Sequence, residues 1–87
     1  MVKHTTRIDK WLWAVRIFKT RVMATEACAG GKVKIDGETI KASRKIQPGD
    51  IVQVRKGMVK YVFKVRKIAE KRMSAKLVND FLEDVTP

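Results

Sequence analysis

The chain is poor in the residues that carry chemistry. Its 87 residues include one cysteine, one histidine and two prolines. A lone cysteine cannot close an internal disulfide. Cys28, set among alanines, reads as a small buried apolar residue of a reducing compartment. One histidine and one cysteine fall short of the about four ligands of a zinc site. His4 lies in a terminus expected to fray, and Cys28 falls mid-helix with no third group to orient a base, so a Cys–His nucleophile pair is disfavoured. The carboxylates are scattered and form no acid–base pair. Gly30-Gly31-Lys32 lacks the rest of a phosphate-binding loop. Neither catalysis nor a metal or cofactor is expected. The opening "MVKHTTR" has no apolar signal region, and the longest apolar run, Trp11–Val15, is too short to span a bilayer. A cytoplasmic protein without a membrane partner is expected. A basic amphipathic helix on an anionic membrane is the competing reading, but the basic residues are spread over strands as well.

Acidic residues are also scarce. Nine Asp and Glu stand against 20 Lys and Arg, a net charge of +11, with an isoelectric point near 10.2. Such an excess repels itself, and a polyanion would relieve the repulsion while releasing counterions. Residues 1–45 carry 11 basic and 4 acidic side chains and residues 46–76 carry 9 and 2, whereas residues 77–87 carry 3 acidic and none basic. The acidic tail is expected to lie off the polyanion-binding face.

Thr6 and Asp9 have the spacing of a capping box. Ile8, Trp11, Leu12, Val15 and Phe18 then follow at helical spacing, which predicts a first helix over about 7–16 with Phe18 in the turn after it. Thr20 is placed to cap a second helix that Gly30-Gly31 would stop. Val33 and Ile35 alternate with Lys32 and Lys34, and Asp36-Gly37 marks a two-residue hairpin turn. Further strands are predicted at 51–55 and 59–68. In the second, Tyr61, Phe63 and Val65 face one way and Lys60, Lys64 and Arg66 the other. Ser74 would cap a last helix with an apolar stripe of Leu77, Val78, Phe81, Leu82 and Val85. The expected class is α+β: two N-terminal helices packed on a small antiparallel sheet, with a C-terminal helix. One domain spans 1–87, with a core at 7–55 and the added strand and helix at 59–85.

Several basic residues can converge. Arg7, Lys10 and Arg16 lie off the apolar stripe of helix one. Lys19 and Arg21 flank Thr20 at the start of helix two, where unpaired N–H groups and the helix dipole already favour an anion. Lys32 and Lys34 extend from the hairpin. Lys41, Arg44 and Lys45 follow in a loop that also offers Ser43. If helices and hairpin pack together, these residues make one continuous basic face. Asp9 is expected to orient Arg7 or Arg16. Any single lysine is better explained as a solvated charge, but the cluster at the helix-two start is not, because the backbone adds its own anion affinity. In "KWLWAVRIFKTR", from Lys10 to Arg21, Trp11 belongs to the buried stripe. Trp13 projects elsewhere, either to pack or to stack on a base, and packing is the expected role.

"TRVMATEACAGGKVKIDGETIKASRKIQPGDIV", from Thr20 to Val52, resembles the S4-type RNA-binding domain. The resemblance rests on Thr20-Arg21, Ala24, Gly31, Val33, Ile35-Asp36-Gly37 and Gly49-Asp50. Ala27-Cys28 replaces a bulkier pair, and Asp36 stands where Asn is common. The preceding "RIDKWLWAVRIFKTR" is similar to the ribosome-associated heat-shock protein 15 branch, as are "IKASRKI" and "LEDVTP". The resemblance implies an S4-like αL motif, two helices and a hairpin, that binds structured ribosomal RNA. It further implies the large ribosomal subunit, with tRNA nearby, and a role in recycling stalled subunits under heat stress. Branch members often continue into a basic helical tail beyond the equivalent of Pro87, whose absence would reduce affinity. The alternatives are an RNA-targeting module of an RNA-modifying enzyme and a DNA-binding protein. A monomer is expected.

Overall fold

The structure, a computed structural model, describes residues 5–87. His4 therefore lies outside the described residues. A short strand β1 (Thr6–Arg7) leads directly into α1 (Ile8–Ala14), and α2 (Arg21–Ala29) follows. Then come β2 (Val33–Ile35), β3 (Glu38–Thr39), β4 (Lys45–Ile46), β5 (Ile51–Lys56) and β6 (Val59–Val65). A 3₁₀ turn (Ala75–Leu77), α3 (Val78–Phe81) and β7 (Leu82–Asp84) close the chain. Five strands form an antiparallel sheet in the order β3-β2-β5-β6-β7, and β1 pairs separately with β4. The fold is α+β, as expected from the sequence.

Strand alternation decides which face of the sheet is buried. Val33, Ile35, Val52, Val54, Val65 and Leu82 point inward and are almost fully buried. Ile8, Trp11, Leu12 and Val15 of the first helical segment cover them, along with Ala24, Ala27 and Cys28 of α2. The small side chains of α2 let its backbone approach α1 closely. Asp36 and Gly37 both take left-handed backbone angles, with φ of 54° and 78°, as a type I′ hairpin turn demands. Gly31, at φ 75°, ends α2 in the same conformation, with the Lys32 N–H returning to the Ala27 carbonyl at 2.9 Å.

Four local expectations differ from the structure. Thr6 does not cap α1. It sits in β1, the cap position is Arg7, and no side chain caps the helix. The Ile8 and Asp9 N–H groups instead bond to the carbonyls of Arg44 and Ala42, so the loop before β4 holds the helix start. The first helix also stops at Ala14 rather than Arg16. Val15 is its C-cap, and Arg16 takes a left-handed φ of 64°. The strand predicted to reach Ile68 ends at Val65, because the Arg66 and Lys67 N–H groups both turn to the Phe81 carbonyl. The C-terminal helix is present but only four residues long. Leu82–Asp84 pairs with β6, Val65 opposite Leu82 and Phe63 opposite Asp84. The same apolar residues fit a helical stripe, but β6 otherwise has an open edge, and pairing satisfies its backbone groups. The acidic tail thus becomes a sheet edge.

Candidate nucleic-acid interface

Asp9 organises the first part of the site. It is 1% exposed, on the face of α1 that meets α2. Arg7 donates to it twice, Nε to Oδ1 at 3.2 Å and Nη2 to Oδ2 at 3.0 Å. The Lys10 backbone N–H donates to Oδ1 at 2.7 Å, and Thr25 of α2 donates to Oδ2 at 3.0 Å. The Arg21 guanidinium lies 3.8 Å from Oδ1. A carboxylate with these partners satisfies its lone pairs and ties the start of α1 to α2. It also fixes the roots of Arg7 and Arg21, whose side chains remain 45% exposed. Arg16 is not a partner of Asp9. Its Nη1 donates to the Met73 carbonyl at 3.2 Å. That bond anchors a residue in a strained left-handed conformation.

Thr20 caps α2, its hydroxyl oxygen accepting the Met23 N–H at 3.1 Å. The N–H groups of Arg21 and Val22 lie in the first turn, where no helical carbonyl precedes them. Around this end Arg7, Lys10, Arg21 and Lys45 line a cleft of about 270 Å³, with Thr5, Thr6 and Glu70 completing its wall. Arg7 and Lys45 stand directly opposite each other in the β1–β4 pair. Like charges so placed repel, and an anion between them would relieve the repulsion.

Lys32 and Lys34 lie elsewhere. They line a second cleft, of about 310 Å³, on the solvent face of the sheet. That cleft includes Gly31, just past the end of α2, whereas the first includes Arg21 at its start, so the two lie near opposite ends of a helix about 13 Å long at its ordinary rise. Of the other predicted residues, Lys19 is exposed in the loop before α2, and Ser43 and Arg44 are exposed before β4. Lys41 lies by the C-terminal end of α2, beside Gly30 and Thr39. Arg55 and Lys60 were missed. They line the sheet cleft with the two lysines. The alternation of the strands placed Lys60 outward, but only the register, Arg55 opposite Lys60 and Lys34 opposite Gln53, brings them beside Lys34.

Cys28 is withdrawn from solvent. It is 2% exposed. Burial, and then the negative charge of Asp9, push its thiol up from 9.0 to about 11. Between these two values the unfolded chain ionises and the folded chain does not. Stability should therefore fall as pH rises through 9–11, by up to about 1.4 kcal/mol per pH unit relative to Cys28→Ala. Urea unfolding of both chains at several pH values would check this, and parallel pH profiles would contradict it. Among the described residues no group of His, Cys, Asp and Glu is placed to hold a metal. No helix among them is long and apolar enough to cross a membrane. Trp13 is half-buried and packs against the core.

Comparison with known proteins agrees with this architecture. A model of the S4 domain family matches residues 6–52. A heat shock protein 15 homolog from Aeromonas salmonicida is 36% identical over 78 residues, 90% of this chain and 59% of that protein. The chain thus spans about three fifths of that relative's length. An RQC P-site tRNA stabilizing factor from Helicobacter pylori is 40% identical over 57 residues, 63% of this chain and 68% of that one. The trimeric structure of Vibrio cholerae heat shock protein 15 superposes with a TM-score of 0.88 at 32% identity, covering 93% of this chain and 82% of that one. With its cleft of basic residues at the start of α2, its Asp-Gly hairpin and these matches, the chain belongs to the S4 domain family and, within it, is similar to heat shock protein 15.

Proposed function

We propose that this chain is a non-enzymatic RNA-binding module that grips structured ribosomal RNA on the large ribosomal subunit. The observation that carries the reading is the cleft at the start of α2. There Arg7, Lys10, Arg21 and Lys45 converge beside the first turn of the helix, and the buried Asp9 fixes two of the four. Helix ends and a hairpin recognise the shape of folded RNA through its phosphates more readily than they read bases. Thr20 contributes the cap that shapes the helix start, and Asp9 positions arginines rather than touching RNA, since its own charge would repel a phosphate. Lys19, Ser43 and Arg44 supply flanking contacts. The reading extends to a cytoplasmic role beside tRNA on stalled large subunits under heat stress; of this, the relatives' names carry the P-site tRNA and the heat shock.

Sedimentation with separated ribosomal subunits tests the reading. The chain should travel with free large subunits and not with small ones. Migration with neither would overturn it. A duplex DNA that competes equally with ribosomal RNA at physiological salt would favour a DNA-binding protein instead.

A further inference from the structure

The cleft on the solvent face of the sheet is a different kind of site. Val52 and Val54 point into the core, so Gln53 and Arg55 between and beyond them point out. The register then sets Lys34 opposite Gln53 and Arg55 opposite Lys60. A direct Arg–Lys pair across two strands is unfavourable by itself. Among the described residues, no carboxylate forms a salt bridge with Lys34, Arg55 or Lys60, whereas Arg66, on the same strand run, is paired with Glu83 at 3.4 Å. At the rim stands Met58, 98% exposed, on the turn between β5 and β6. An unpaired cationic floor, one amide and one bare thioether thus surround about 310 Å³ of open space. Gln53, Arg55, Met58 and Lys60 all lie beyond residue 52, where the match to the S4 domain family ends.

We infer that this cleft binds one nucleotide unit of a single-stranded or looped RNA segment, separately from the structured RNA held at the start of α2. The inference rests on the RNA reading above. The cleft is of the size of a small-ligand pocket and is too small for a duplex. Lys34, Arg55 and Lys60 neutralise the phosphates that flank an unstacked base. Gln53 offers both a donor and an acceptor to the base edge. Met58 lies against the base as a flexible, polarisable cover, a role that suits a thioether. Positive charge combined with a surface for the base face is the general design of single-strand binding. The two clefts stand at opposite ends of α2, so one RNA with a folded stem and a loose strand can occupy both.

The test uses the full chain and an eight-nucleotide oligouridylate, with affinity read by fluorescence anisotropy and location by amide NMR shifts. Shifts should concentrate at residues 32–34 and 53–60. Arg55→Ala/Lys60→Ala should weaken oligouridylate about tenfold at physiological salt and flatten the salt dependence by about 1.4, the value for two phosphate contacts on a single strand. Met58→Ala should cost a few-fold with the slope unchanged. The double variant removes a repulsive pair, so its thermal unfolding should not fall below that of the parent chain. Unchanged affinity in the double variant, or shifts confined to the start of α2, would overturn the inference and leave the function standing. So would a chain that binds ribosomal RNA but not oligouridylate. A chain that binds neither RNA removes the function as well.

Discussion

Replacing Lys10, Arg21 and Lys45 together by alanine should weaken binding to ribosomal RNA about 100-fold at physiological salt. The magnitude follows from counterion release. Each phosphate neutralised on a duplex contributes about 0.9 to the slope of log affinity against log salt, so three lost contacts flatten it by about 2.7. The choice of three residues matters. Arg7 is left in place because it donates twice to the buried Asp9, and its removal would leave a desolvated carboxylate with too few partners. Arg21 is the weaker partner at 3.8 Å and can go without exposing that problem. A loss of affinity with a circular dichroism spectrum and unfolding midpoint like the parent's would assign the effect to the cleft. An unchanged salt slope would show that the phosphates sit elsewhere. The loss should be similar for different RNA sequences, because phosphate contacts carry no sequence information.

Much of the fold is legible because local signals and tertiary structure agree. Thr20, Gly31 and Asp36-Gly37 each demand one backbone conformation, and the structure has it. The alternation of Val33 with Ile35 and of Val52 with Val54 decides which sheet face is buried. Illegible features are those in which distant segments compete for the same groups. Thr6 and Asp9 match a capping box in spacing, but β4 claims Thr6 by backbone pairing and two arginines claim Asp9. Leu82 fits a helical stripe and a strand edge equally, and only the open side of β6 decides between them. The basic residues follow the same rule. Their exposure is readable from the pattern of each element, but their grouping depends on register and on the length of α2. That is why Lys32 and Lys34 part from Arg21, and why Arg55 and Lys60 join them.

Trp11→Ala should lower the stability of the chain by about 4–7 kcal/mol, the largest loss expected of any single substitution in the core. Trp11 is 0% exposed and is the largest fully buried side chain. Truncating a buried tryptophan costs about 3–5 kcal/mol through lost transfer energy and the cavity left behind. A second loss adds to this. The indole Nε1 donates to the Lys67 carbonyl at 3.0 Å, pinning the irregular stretch after β6 across α1. The Met73 N–H bonds to the Ala14 carbonyl at 3.1 Å further along the same crossing. A domain of this size has only about 4–13 kcal/mol of net stability, so the substitution removes from about a third of it to all of it. Trp11→Phe separates the two contributions. It keeps most of the ring volume but leaves the Lys67 carbonyl without its donor, at a cost of about 1–2 kcal/mol. The Phe chain should remain folded, with amide exchange at Met73 faster than in the parent, since the crossing segment loses one of its anchors while the core stays filled. If Trp11→Phe were as damaging as Trp11→Ala, the hydrogen bond to the crossing segment rather than the packing of the ring would be what holds α1 in place.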